Sequence, residues 1–325
     1  MSKLQRAVDL LNEFGIKVMA AKLLQTCTRK IFGIKYLAGK LKYQAITEFL
    51  YNENKELIEE FNTTEHLQTP MIGNESSVWV LWWQGLEQAP DIVKMCIESI
   101  RQHIGNRTLM VLSEKNYQEH VTLDNRYLEM VDQGKITRTQ FSDLLRLNLL
   151  FQQGGVWLDA TYLLTGSLPS YLSALPFFTI RHGMEKEYPM SKGFWTSSAL
   201  AFGKGSEELK LFIDVYDAYF SKHDKVVDYL LTDYVFAVCC DHCEEIHKMF
   251  ENVPMNNQNV NKLLLIMNKL YAKQLVAHTT KNSTLNKLNR RYPFEGSVKT
   301  IEKNGSITQQ RTVYGHFRDI YLRGN

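Results

Sequence analysis

The sequence predicts an α/β protein with a mainly parallel central sheet, preceded by a helical N-terminal segment. Three observations carry that expectation. From Ser76 onward, short β-branched and aromatic runs alternate with helix-period stretches. The first 45 residues place apolar side chains at helical spacing among many basic ones. Uninterrupted apolar runs, such as Val78 to Trp83, are strand-sized, far short of the roughly 18–20 residues that a membrane-spanning helix needs. At 325 residues, 44% apolar and 22% charged, the chain is ordinary globular material and long enough to bury a sizeable core, which excludes disorder.

Residues 1–45 carry nine basic side chains (Lys3, Arg6, Lys17, Lys22, Arg29, Lys30, Lys35, Lys40 and Lys42) against Asp9 and Glu13. This balance of +7, in a chain whose total is +3, leaves −4 for the other 280 residues. Val8, Leu11, Phe14, Val18 and Leu23 recur at helical spacing, so the segment reads as basic amphipathic helices. Two readings stay open. Such a face lies on anionic lipid, where each Lys or Arg contributes about 1 kcal/mol, or it is the solvated side of a helical cap. No nucleic-acid-binding motif accompanies the charge, so nucleic acid is not an expected partner. A polar stretch from Asn62 to Ser77 reads as a linker, dividing a helical extension (1–75) from a catalytic domain (76–325).

Within that domain the expected order is strand (Val78–Trp83), helix (Asp91–His103), strand (Thr108–Ser113), helix (Thr139–Gln153) and strand (Val156–Asp159). A strand at Phe177–Arg181, helices within Ser206–Phe220 and Lys225–Phe250, and a basic C-terminal tail follow. The first residues lack the apolar block of a secretory signal, and the five cysteines, odd in number and set in apolar sequence, read as reduced thiols. Both point to the cytoplasm, with a peripheral position on the membrane face as an extension of the lipid reading.

Familiar signatures fail. Gly33 to Lys40 has five residues between its glycines where a phosphate-binding P-loop has four, and Leu41 stands where a Ser or Thr belongs. Gly203-Lys204-Gly205 lacks the third glycine of a dinucleotide turn. Cys240-Asp-His242-Cys243 with His247 has no second ligand pair for structural zinc and reads as a buried helical face. There is no Gly-x-Ser-x-Gly elbow.

The informative stretch runs from Phe141 to Thr161. Apolar residues cover most of a helix and leave Asp143 and Arg146, three apart and therefore on one face, as its only charges. They are either a structural brace or a carboxylate and a forked donor presented to the hydroxyls of a polyol. Gly154-Gly155 then ends the helix, and Val156-Trp157-Leu158 delivers Asp159 to the carboxyl end of a strand, the edge where open α/β sheets bind ligands.

In order along the chain stand Leu81-Trp-Trp-Gln-Gly85, Ser142-Asp143 with Arg146, Gly154 to Thr161, Val227 to Leu230 with Asp233, Asn252-Val-Pro254 and Thr284 to Leu288. From about Val78 to the C-terminus this pattern resembles the capsular-polysaccharide-synthesis proteins, relatives of the DXD-containing family-32 glycosyltransferases and of the glucosylating bacterial toxins. The resemblance implies a GT-A fold and a retaining glycosyltransferase. Its implied substrates are a UDP-sugar donor, UDP-galactose or UDP-glucose, and a lipid-linked saccharide acceptor.

By position it implies that Trp82 stacks on uracil, that Ser142 neighbours the ribose and that Asp143 and Arg146 grip the donor sugar. Asp159, with Asp233 as a second carboxylate facing the sugar or as a mere helix cap, is the implied catalytic residue. Where relatives have Asp-x-Asp, this chain has Asp159-Ala160-Thr161, which removes one anionic ligand from the expected Mn²⁺ or Mg²⁺ site. His316 is a candidate to complete the metal shell, and Lys281, Lys287, Arg290 and Arg291 are alternative cations for the departing diphosphate. A non-catalytic carbohydrate-binding scaffold with a degenerate transferase fold is the competing expectation.

Overall fold

The computed structural model describes residues 3–28, 31, 34–183, 190–301 and 307–324. Two helices come first, α1 (Lys3–Thr28) and α2 (Ile34–Thr63), each interrupted once: at Gly15, with φ 78°, and at Asn54. Phe14, Val18, Ile46, Leu50, Ile58 and Phe61 are buried in the same apolar core as the rest of the chain, and α2 lies against the later helices α6 and α7 described below. Of the basic residues, Lys42 pairs with Asp228 at 3.0 Å and Lys17 with Glu48 at 2.6 Å. On the outer side, Ile16, Tyr36 and Leu37 are more than half exposed.

The polar stretch after α2 is strapped onto the sheet. Ile72 is buried and its N–H donates to the Leu175 carbonyl at 2.9 Å. Gly203 has its backbone so close to the Pro70 carbonyl that a methyl group there would overlap it.

The sheet is built from β1 (Val78–Leu81), reached before α3 (Asp91–His103), β2 (Leu109–Leu112), α4 (Asn125–Asp132), α5 (Arg138–Gln153), β3 (Gly155–Leu158), β4 (Tyr162–Leu164), β5 (Phe177–Thr179) and β6 (Ala199–Phe202). Its strand order is β2-β1-β3-β6-β5, while β4 lies outside it. β1 is parallel to β2 and β3; β6 is antiparallel to β3 and to β5. Four strands therefore run one way and only β6 is reversed, the mainly parallel arrangement expected. β3 at the centre is fully buried, as a strand covered on both faces must be.

Then come α6 (Glu207–Lys222), α7 (Leu231–His242), α8 (Glu244–Glu251), α9 (Lys273–Thr279), β7 (Leu285–Lys287), β8 (Ser297–Ile301), β9 (Ile307–Arg311) and α10 (Val313–Arg318). The stretch Lys225–Phe250, where helix was expected, holds two helices, α7 and α8. The break falls at Cys243, whose extended backbone (φ −122°, ψ 115°) leaves the helical region. The expected basic tail is structured as well. β7 pairs with β4 in register Tyr162↔Lys287, β8 and β9 form a hairpin, and α10 packs on α3. The C-terminal segment thereby brings its charges back over the end of β3.

The α5–β3 corner is set by local chemistry. Thr137 caps α5 through a reciprocal capping box with Gln140. Gly154 (φ 68°) ends the helix and Gly155 (φ 104°) opens the strand, and a Cβ on Gly155 would sit 2.4 Å from the Ser77 carbonyl. Both the left-handed backbone and the close approach of β1 demand glycine there.

Candidate functional site

Asp159 emerges at the carboxyl end of β3, and its side chain is held from three directions. The Trp157 indole Nε1 donates to Oδ1 at 3.1 Å, Arg146 stands 3.6 Å from the same oxygen, and the Lys287 Nζ lies 2.5 Å from Oδ2. Arg146, only 5% exposed, pairs with Asp143 at 2.7 Å and donates to the carbonyls of Ser142 and Ser197. Its guanidinium also lies 5.2 Å from the centre of the Trp157 ring. One short segment before β6 stitches the group together: Ser197 receives Arg146, Ser198 receives the Asp159 N–H at 3.0 Å, and Trp195 Nε1 donates to Asp233 Oδ1 at 3.0 Å. Three carboxylates and two cations thus share one partly dry network.

Their protonation follows from that crowding. For Asp159, burial works against ionisation, but Lys287 and Arg146 outweigh it and hold the carboxyl below the usual range. Burial pushes Asp143 up, with Asp159 adding to the push against the pull of Arg146. Burial raises Asp233 to about 6, and Asp143 adds to that.

A carboxyl raised in the folded state stabilises the fold only while protonated, so this contribution is lost as pH climbs from about 4 to about 6. Asp233→Asn, which can still accept from Trp195, is therefore expected to match the wild type in stability near pH 4. At pH 8 it should exceed it by roughly 1–3 kcal/mol, read from urea melts at the two pH values.

Beside this network opens a cleft of about 700 Å³, on the carboxyl side of β1 and β3. Trp82, Trp83, Gln84, Ser142, Asp159 and Thr161 line it together with Lys287, Arg290 and Arg291. Arg138 and Arg146 bring the lining cations to five, while Asp159 is the one lining carboxylate among the described residues. Arg290 lies over the Trp82 ring and Arg138 over Trp83, each within 6 Å of the ring centre. A smaller cavity of about 240 Å³, lined by Trp195, Ser197 and Asp233, shares Asn261 and Lys287 with it.

The structure brings together Trp82, Ser142, Arg146, Asp159 and Thr161 around the cleft, with Asp143 behind Arg146 and Asp233 next door. Asp143 and Arg146 form an ion pair at 2.7 Å, and Arg146 also lines the cleft. Asp233 sits in the first turn of α7, yet it bonds Trp195 across the fold, where a cap would serve its own helix. Of the three early tryptophans, Trp79 is core packing and donates to the Gly154 carbonyl, whereas Trp83 lines the cleft with Trp82.

His316 is not among the cleft-lining residues: its ring stacks on Tyr271 at 3.7 Å. Lys281 lines a different cavity, of about 830 Å³, bounded by residues 255–282. Sequence reasoning missed the Trp195–Ser198 segment, Arg138 and the Lys287–Asp159 pair. The polar Trp-Thr-Ser-Ser run just ahead of an apolar strand was the available signal for the first.

The donor set does not suit a divalent cation. Both Asp159 oxygens are already engaged by cations or an indole N–H, Thr161 is neutral, and His316 is absent from the lining. Among the described residues no three His, Cys, Asp or Glu side chains gather as a metal site. Burial raises the Cys240 and Cys243 thiols to about 12, so they are neutral packing groups, as the apolar reading of that helix expected.

A family model described as "Capsular polysaccharide synthesis protein" matches residues 30–304. The chain belongs to that family. For the capsular polysaccharide synthesis family the match starts in the helical segment, well ahead of the Val78 at which the recognisable motifs begin, so α2 is part of the family's common structure. No curated protein matches the chain. Among solved structures, one titled "PaToxG Glycosyltransferase" aligns over 81% of this chain and 95% of its own at 13% identity, with a TM-score of 0.40. No described helix is long and apolar enough to cross a membrane.

Proposed function

We propose that this member of the capsular polysaccharide synthesis family is a retaining glycosyltransferase that moves a hexose from a UDP-sugar, UDP-galactose or UDP-glucose, to a lipid-linked saccharide. The observation that carries the reading is the cleft itself: among the described residues, five cations, three tryptophans and a single carboxylate at the ligand-binding edge of the sheet. A nucleoside diphosphate needs an aromatic face for its base, worth about 1–3 kcal/mol, and fixed positive charge for its phosphates. In this reading Trp82 meets the uracil, Ser142 the ribose, and Lys287, Arg290 and Arg291 the diphosphate.

The sugar extends past Asp159 toward the smaller cavity. There the acceptor hydroxyl forms its bond to the anomeric carbon as the bond to the diphosphate breaks; the electron pair leaves with the diphosphate, and Asp233 takes the hydroxyl proton. The acceptor's lipid fits the basic, outwardly apolar face of α1 and α2, where Ile16, Tyr36 and Leu37 are exposed. That would hold the enzyme on the cytoplasmic face of a membrane.

The test is a thermal-shift panel of UDP, GDP, CDP and dTDP sugars followed by a donor-hydrolysis assay. A ligand at a hundredfold excess over its dissociation constant stabilises by about 2.7 kcal/mol, so the donor should stand out. UDP-hexose binding with release of UDP supports the proposal. Binding without turnover would leave the scaffold reading, and no binding of any nucleotide sugar by a folded protein would end the transferase proposal.

A further inference from the structure

We propose that Lys287 occupies the place of a divalent cation, so that sugar transfer by this protein needs no metal. The inference rests on the nucleotide-sugar reading and concerns how the same cleft handles negative charge. Heterolysis of the bond between the anomeric carbon and the phosphate oxygen leaves the electron pair, and one more negative charge, on the departing diphosphate. A cation must already be there to receive it.

A Mg²⁺ or Mn²⁺ ion would need anionic oxygens to hold it, and among the described residues the cleft lining offers one carboxylate beside five cations. That carboxylate, Asp159, gives Oδ2 to the Lys287 ammonium at 2.5 Å and Oδ1 to the Trp157 indole. Thr161 supplies no second charge.

Lys287 is not a stray side chain that happened to fold onto an acid. It ends β7, whose pairing with β4 sets Tyr162 opposite Lys287. The next residue, Leu288, donates its N–H to the Thr161 carbonyl at 2.8 Å, tying that strand end to the Asp159–Thr161 turn. The ammonium also lies 4.9 Å from the centre of the Tyr162 ring, a cation–π contact that fixes it further. Arg290 and Arg291 follow within one turn of chain and line the same cleft. The segment sets Lys287 on Asp159 and adds two more cations to the lining of the same cleft, and a cation installed by the backbone requires no uptake from solution.

Binding of UDP, GDP, CDP and dTDP is measured by calorimetry, and transfer or donor hydrolysis by product release, each with EDTA or with Mn²⁺. This is done for the wild type, Lys287→Met and Lys287→Arg, with melting temperatures as the control for folding. For the wild type, affinity and turnover are expected to agree within about twofold between EDTA and Mn²⁺. Lys287→Met should lose about tenfold in nucleotide affinity and on the order of 10²-fold in turnover, with Lys287→Arg recovering much of both. Nucleotide binding or turnover that vanishes in EDTA and returns with Mn²⁺ would overturn the inference while leaving the donor reading intact. Failure of every nucleotide to bind under both conditions would overturn the donor reading and the inference with it. If Lys287→Met does not fold, the comparison of EDTA with Mn²⁺ on the wild type still decides.

Discussion

Arg146→Met is expected to lower the unfolding free energy by about 3–5 kcal/mol, the usual cost of removing one partner from a buried ion pair. The reason lies in what the guanidinium does. It pairs with Asp143, neighbours Asp159, lies on Trp157 and donates to the Ser142 and Ser197 carbonyls, all while nearly inaccessible to water. Without it, three carboxylates face one another and a buried carbonyl loses its donor. The loss should be larger at pH 8 than at pH 5, because protons can neutralise the abandoned acids at the lower pH. Urea denaturation at both pH values measures it, and Arg146→Met combined with Asp143→Asn should recover a good part by removing the charge left behind. A cost below about 1 kcal/mol would mean that Arg146 is free to reach a sugar and that the brace is incidental.

Asp159→Asn is expected to reduce sugar transfer on the order of 10²–10³-fold while leaving the fold in place. The amide has nearly the same shape, and its oxygen can still accept from Trp157. It carries no charge to hold the Lys287 ammonium over the cleft. The side chain is about a third exposed, and Lys287 can turn toward solvent, so the change in stability stays small compared with that of Arg146→Met. Single-turnover rates beside a thermal melt separate the two effects. Equal turnover in variant and wild type would remove Asp159 from the chemistry.

The residues differ in how much of their role could be read in advance. α3 was legible to the residue, since Asp91–His103 carries a clear apolar face. The turn from α5 through Gly154-Gly155 into β3 was legible too, because each step has a local cause: a spacing, a pair of glycines, an apolar Val-Trp-Leu run. By contrast β4 follows β3 after only three residues, and β6, Ala199-Leu-Ala-Phe202, has neither polar alternation nor a β-branched residue to mark it. Asp143 and Arg146 were visible as a pair at i and i+3, but the Ser197 carbonyl that Arg146 also reaches lies 51 positions away. Lys287 was one of four basic candidates in a supposed tail, and its selection over Lys281 came from β7 pairing with β4, which places it 128 residues along the chain from its acid. Contacts of that separation belong to topology, and the order of residues in a single sequence does not reveal them.

The seam between the helical segment and the rest has a practical side for anyone preparing shorter versions of this protein. A fragment starting at the polar stretch near residue 76 would strip Ile46, Leu50, Ile58 and Phe61 from their berths and leave a bare oily flank along α6 and α7. Such a piece would be sticky before it was inactive, and poor yields from it would speak to the missing cladding and not to the chemistry of the cleft.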